Sequence, residues 1–576
     1  MYIKTIAAEK EKLIIVKKSV PIGFEDFKRI IDGNMYYVDK SFMMKHLIDN
    51  KGSVNLFTRP RRFGKTLNLS MIRRFFEKEL NEDGEEIQNA YLFDGLKIAA
   101  CGREYMDQQG KYPVINLSLK AAKQPTFELA VASLVDEIAK EYKRHAYILS
   151  CERISENDKT RFKAVMNQKA LEVEYAKSLD FLSSCLTKYH GVRTIILLDE
   201  YDVPLENAYF EGFYEKMTGY IRSLFESALK TNPNLEFSVI TGCLRISRES
   251  IFTGLNNLEI YSILNPWYVD SFGFTEKEVK EILSFYDLED KFAEVKNWYD
   301  GYRFGETDIY NPWSILNYVK VSLANRDAIP RPYWSNTSSN SIVKELVENA
   351  DSEVRQEIEK LIAGGMIKKP VYEDITYDSI YDSQDNLWNF LYFTGYLKAG
   401  GGSLEDDTNY MKLMIPNTEI RTIYKRTILT WFDKRVKNLE RSELISALEK
   451  GDCEKIETFI NKQLLETISF YDYAENYYHG FLAGILKGAG KYLVMSNRES
   501  GIGRPDILLK TPSVRGEAII LELKVSDCFQ GMEQKCYDAL KQIEEMDYEA
   551  ELRAEGYDNI KKYGVSFYRK ECMVRK

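Results

Sequence analysis

One apolar run that ends in a basic turn and restarts as a helix constrains this chain more than any other segment. Ser53-Val54-Asn55-Leu56-Phe57-Thr58 leads into Arg59-Pro60-Arg61-Arg62-Phe63-Gly64-Lys65-Thr66, and Leu67 to Phe76 reads as a helix. A strand that feeds a helix belongs to a parallel α/β sheet, where both faces are covered and the strand is apolar throughout. The turn has the chemistry of an anion site. Gly64 lets the backbone approach, Lys65 suits phosphate oxygens, and Thr66 offers a hydroxyl for Mg²⁺. The helix dipole faces the same point. The run departs from G-x-x-x-x-G-K-[ST] at its first glycine, where Arg59 stands. Arg59 and Arg62 are expected to add positive charge to a bound nucleotide.

Two later strands fit the same site. Thr194–Leu198 ends in Asp199-Glu200, which sets Asp199 beside a metal on Thr66 and lets Glu200 polarise an attacking water. Phe237–Thr241 sets Thr241 at a strand tip near the γ-phosphate. Arg245 and Arg248 follow; they contact that phosphate, in cis or in trans, or remain surface charges. With Val114–Ser118, these strands predict a parallel-sheet domain over 21–270, after a short leader over 1–20. Residues 271–465 read as a mostly helical lid or middle region. There Thr275 and Glu278 have capping-box spacing, and Trp298, Tyr299, Tyr302, Trp313 and the stretch Trp388 to Leu397 are expected in the core.

A second chemical pattern lies in 466–576. Pro505-Asp506 opens the strand Ile507-Leu508-Leu509, and a turn through Pro512 and Gly516 leads to Ala518–Lys524. Period-two alternation puts Glu522 and Lys524 on one face, opposite Leu523. An antiparallel pairing lets Asp506 meet Glu522, so both could hold Mg²⁺ while Lys524 positions water. Upstream, the aromatic-rich helix Tyr471 to Leu486 carries Glu475, a further candidate ligand, with His479 one turn later. The final strand is expected at Val565–Tyr568.

Composition narrows the chemistry. The eight cysteines include no C-x-x-C and the four histidines are far apart, so carboxylates are the expected metal ligands. Scattered cysteines without a secretory signal fit a reducing cytoplasm. No run approaches membrane-spanning length, so no membrane partner is expected. A net charge of −9 argues against a broad basic coat, though not against a local basic groove.

Tyr36-Tyr37-Val38-Asp39-Lys40, the arginine-rich loop, Leu198-Asp199-Glu200-Tyr201-Asp202 and Thr241-Gly242 resemble prokaryotic AAA-ATPase-like proteins that carry a C-terminal PD-(D/E)XK nuclease-like domain. So do Gly254-Leu255-Asn256-Asn257, Trp298–Tyr302 and Tyr310–Ser314. The resemblance covers nearly the whole chain after residue 20, and an arginine in place of the first loop glycine is similar to the family's habit. It implies a P-loop NTPase sheet, a helical middle and an αβββαβ restriction-endonuclease-like domain. It also implies ATP and Mg²⁺ as cofactors, with Gln542 near the nuclease site. The expected activity is ATP-gated cleavage of nucleic acid, DNA before RNA, in defence or mobile-element biology. The alternative is a nucleotide-switched scaffold whose C-terminal domain recognises but does not cut. A homo-oligomer is expected if Arg245 or Arg248 acts in trans.

Overall fold

The computed structural model describes residues 17–81, 83–245, 251–252, 255–336, 343, 351–373, 377, 380, 383–438, 441–466, 475–487, 490–496 and 505–576, without the side chains of 335–336, 352, 429–438, 466 and 475–476. Two compact units emerge. One comprises Met1–Ser338 with Lys368–Ile420, the other Ser339–Ile367 with Arg421–Lys576. The first unit takes in 271–338 and 368–420, and the second takes in 421–465 together with 466–576.

In the first unit, β1 (Val54–Thr58), β2 (Val114–Ser118), β3 (Thr194–Asp199), β4 (Leu235–Gly242) and β5 (Leu258–Tyr261) form an all-parallel sheet in the order β2-β3-β4-β1-β5. Every residue of β1 and β3 is buried, as an uninterrupted apolar run requires. The order matters for the site. β4 lies between the phosphate-loop strand and the Asp199 strand, with Phe57 opposite Thr241. β5 is an edge strand that sequence periodicity did not reveal, because four residues including Glu259 carry too little pattern.

The middle region holds two small sheets besides its helices. β6 (Phe274–Thr275), β7 (Tyr302–Phe304) and β8 (Thr307–Tyr310) pair antiparallel, and β9 (Ile367–Pro370), β10 (Lys398–Glu405) and β11 (Thr408–Met414) form a second sheet. The capping box forms. Glu278 N–H donates to Thr275 Oγ1 at 3.3 Å, and Thr275 N–H donates to Glu278 Oε2 at 2.8 Å. Tyr299, Tyr302 and Trp388 are core residues as expected, whereas Trp298 and Trp313 are only partly buried.

The second unit has one sheet in the order β12-β13-β14-β15-β16, spanning Leu493–Ser496, Ile507–Lys510, Glu517–Val525, Asn559–Tyr568 and Glu571–Arg575. Only the β14–β15 pair is parallel. Ile519, Leu521 and Leu523 face one core, while Ala518 and Ile520 face another built with Ile543 and Tyr548. Gly564 lets the helix Met532–Glu545 sit on β15; a Cβ there would come within 2.1 Å of the Cys536 carbonyl oxygen. The expected element order is present, with two additions: a short helix Tyr548–Glu555 and the closing strand β16.

Candidate functional sites

The arginine-rich loop is tied down where it leaves the sheet, by Arg59 N–H donating to Gly242 O at 3.0 Å. Arg62 (φ 70°) and Gly64 (φ 85°) take left-handed conformations that fold the loop over the start of the helix Lys65–Phe76. Lys65 is buried, and its ammonium donates to the Arg59 and Pro60 carbonyls at 2.9 and 3.0 Å. Thr66 Oγ1 donates to Asp199 Oδ2 at 2.6 Å, and Thr241 donates to the other Asp199 oxygen. Two strand ends and the start of a helix thus converge on one carboxylate.

Behind Asp199, the chain clasps the tip of β4. Asp202 Oδ2 accepts from Cys243 N–H at 2.7 Å and Leu244 N–H at 3.2 Å. Gly242 has no space for a side chain, since a Cβ would lie 2.4 Å from the Tyr201 ring. Glu200 itself is left-handed (φ 51°). Burial, with Asp199 adding to it, raises the Glu200 carboxyl above its ordinary range.

A cavity of about 310 Å³ opens on this cluster. Lys65, Thr66, Glu200 and Asp202 line one part, and Pro21, Ile22, Phe24, Val38, Phe274 and Leu316 supply apolar walls. The volume is that of a small-molecule site. Three contributions were not legible in the sequence. Pro21–Phe24 follow the expected leader directly yet line the cavity. Trp313 lies under the Arg62 guanidinium, 4.5 Å from its ring centroid. Lys40 also lines the cavity and pairs with Glu278 at 2.7 Å, which gives the Tyr37–Lys40 segment a structural role.

Two expected ligands are placed elsewhere. Arg59 is fully buried, donates to the carbonyls of Thr58, Tyr261 and Tyr268, and lies between the rings of Phe272 and Phe304. Its guanidinium satisfies the ends of β1 and β5 rather than facing the cavity, and burial lowers its pKa to about 9. Arg245 does not line the cavity; it pairs with Glu373 at 3.0 Å, and Glu373 also accepts from Ser262. Arg248 lies outside the described residues.

In the second unit the β13–β14 pair brings the predicted acids together. Asp506 Oδ2 accepts from Leu523 N–H at 2.8 Å, and Asp506 N–H donates to Glu522 Oε2 at 3.3 Å. Lys524 lies 3.6 Å from Glu522 on the same strand face. Glu522 is almost fully buried; burial and then Asp506 push its carboxyl up to about 7, against the pull of Lys524. His479 Nε2 is 2.9 Å from the Asp506 carbonyl oxygen and so braces the chain behind the acid. Burial raises the Tyr548 hydroxyl above its ordinary range, with Gln542 opposing and Glu522 and Asp506 adding to it. Tyr548 had no motif to mark it. Glu475 opens the helix Glu475–Leu486, but its side chain lies outside the described part.

The donor sets fit Mg²⁺, which takes oxygen ligands and retains waters. Thr66 with Asp199 is one such set, and Asp506 with Glu522 is the other. Among the described residues, no three or more His, Cys, Asp or Glu side chains gather as a metal cluster. Among them too, no helix is long and apolar enough to cross a membrane.

Comparison with known proteins finds a separate match within each unit. Residues 21–252 match the family model of a predicted AAA-ATPase, and residues 473–576 match the PD-(D/E)XK nuclease superfamily. A protein of Azotobacter chroococcum mcd 1, described as an uncharacterized protein in the vnfD 5′ region, is 23% identical over 568 residues. The match covers 96% of this chain and 97% of that protein, so the likeness spans both regions. The N-terminal region is AAA-ATPase-like and the C-terminal region PD-(D/E)XK-like.

Proposed function

We propose that the first unit binds and hydrolyses ATP, and that its nucleotide state controls Mg²⁺-dependent cleavage of nucleic acid by the second, DNA more readily than RNA. The observation that carries this reading is the presence in one chain of two clusters of buried acid with hydroxyl or lysine: Lys65, Thr66 and Asp199 at the cavity, and Asp506, Glu522 and Lys524 on β13–β14. At the first site the Lys65–Phe76 helix dipole and Lys65 meet phosphate oxygens, Thr66 and Asp199 hold Mg²⁺, Thr241 fixes Asp199, and Glu200 accepts a proton from water. Arg62, stacked on Trp313, lends charge at the cavity wall. At the second, Asp506 and Glu522 hold Mg²⁺, Lys524 orients water, and Gln542 steadies the Tyr548 side. Bound Mg²⁺ supplies charge neutralisation and a more acidic water at both sites. We place this activity in the cytoplasm, in defence or mobile-element biology, and in a homo-oligomer if Arg245 or Arg248 acts in trans.

The test is incubation of the full chain with Mg²⁺ and plasmid, linear duplex, single-stranded DNA or RNA, with and without ATP, beside Lys65→Ala and Glu522→Ala. Cutting lost in Glu522→Ala and changed in Lys65→Ala supports both sites and their coupling. ATP turnover without cutting of any substrate favours the second reading, a nucleotide-switched scaffold with a recognition domain. The net charge of −9 and a candidate metal site with only two described carboxylates favour that reading.

A further inference from the structure

The three arginines of the loop are equivalent in sequence but not in space. Arg59 is buried among backbone carbonyls, and Arg62 is stacked on Trp313. Arg61 lines the cavity beside Lys65, Thr66, Glu200 and Asp202, and its guanidinium pairs with Glu206. Glu206 is itself a cavity residue, buried in the first turn of the helix Val203–Glu211, which follows directly on the Asp199–Asp202 segment. The Arg61–Glu206 pair therefore lies on the cavity wall with Asp202 close to both partners.

The pair is poised for exchange. A guanidinium binds phosphate oxygens with the same forked geometry it offers a carboxylate. Burial raises the Glu206 carboxyl above its ordinary range against the pull of Arg61, with Asp202 adding repulsion. Glu206 in turn holds the Arg61 guanidinium firmly in its charged form, so only a ligand that offers Arg61 several anionic oxygens could draw it away. Arg245, the other arginine that sequence offers for the terminal phosphate, is outside the cavity and paired with Glu373.

We propose that Arg61 is the residue that distinguishes a nucleoside triphosphate from a diphosphate, by leaving Glu206 for the terminal phosphate. The inference rests on the nucleotide reading above and adds the specificity of that site. A diphosphate leaves the pair in place; a triphosphate breaks it, and the helix Val203–Glu211 loses its tie to the loop. The γ-phosphate is thereby reported to the helix Val203–Glu211.

The test is calorimetric binding of ADP and of a non-hydrolysable ATP analogue, both with Mg²⁺, to the full chain and to Arg61→Gln, Arg61→Lys and Glu206→Gln. In Arg61→Gln the analogue is expected to bind about tenfold more weakly while ADP changes less than about twofold. Arg61→Lys, which keeps charge without the fork and guards against loss of fold, is expected to fall between. Glu206→Gln should tighten the analogue and leave ADP unchanged. Equal losses for both ligands in the Arg61 variants, or weakening of both in Glu206→Gln, would show a structural tie and overturn the proposal. Wild type that binds both ligands equally removes the proposal alone. Wild type that binds neither removes the nucleotide reading with it.

Discussion

The phosphate-loop site and the β13–β14 site both centre on buried carboxylates, yet the protein treats the acids differently. Asp199 is surrounded by donors of its own chain, with Thr66 and Thr241 hydroxyls on its two oxygens. Glu522 has a backbone N–H at 3.3 Å, a lysine at 3.6 Å and a second acid beside it, and its carboxyl is pushed to about 7. The first carboxylate is held in place before any ligand arrives. The second lacks close donors and is suited to an added cation. A preorganised site should fail through its scaffold, whereas an under-compensated one should fail through its ligands.

The sharpest break of this comparison is loss of one chemistry alone. Glu522→Ala is expected to lower cleavage by about 10³-fold or more while ATP turnover stays within about twofold, measured by nicking and phosphate release on the same preparation. Asp199→Ala should abolish ATP turnover and change cleavage only in its response to ATP. Loss of ATP turnover in Glu522→Ala would mean the sites are not separable.

The next effect tests the scaffold. Arg59→Met removes the buried cation from between Phe272 and Phe304 and leaves the carbonyls of Thr58, Tyr261 and Tyr268 short of a donor. We expect a loss of about 3 kcal/mol in denaturant unfolding, with Arg59→Lys restoring little because an ammonium lacks the planar fork. An unchanged midpoint would return Arg59 to the list of ligand candidates.

A smaller effect compares the units through their glycines. Gly242→Ala forces a methyl onto the Tyr201 ring, and Gly564→Ala forces one onto the Cys536 carbonyl. Each should cost about 1–3 kcal/mol. The first is expected to impair ATP turnover and the second cleavage, read from unfolding curves and the two assays together.

The parts of these sites that were legible in sequence are those set by local geometry. Gly64-Lys65-Thr66 between a strand and a helix, Asp199 at the end of an apolar strand, and Glu522 and Lys524 two residues apart follow from periods of 3.6 and 2. Strand order is a non-local property, so the position of Thr241 between β1 and β3 could be proposed only by motif. Arg59, Arg61 and Arg62 look alike in one dimension. Their fates depend on β5, on Phe272, Phe304 and Trp313, and on Glu206, all of which arrive from distant segments. Pro21–Phe24 and Tyr548 carry no motif and become site residues only through packing.

Glu419 gives the mildest and most separable test, because it is buried like Glu522 but lies in neither site. Its oxygens accept from Ser314 Oγ at 3.0 and 2.8 Å and from Trp334 N–H at 2.9 Å. These are neutral donors, and burial outweighs them, pushing the carboxyl up to about 7. Tyr299, Tyr302 and Tyr333 add no charge near neutral pH. The folded chain therefore holds this proton more tightly than the unfolded chain does. Stability from this group is fully present below the unfolded value near 4.5, and is lost as pH rises through about 7. Glu419→Gln removes the titration. Relative to wild type, the variant should gain about 2 kcal/mol between pH 5 and pH 8 in urea unfolding, with or without Mg²⁺. A gap that is flat with pH would mean Glu419 is ionised in place. A gap that changes with Mg²⁺ would join it to one of the sites and dissolve the contrast between a carboxylate that awaits a cation and one that is simply buried.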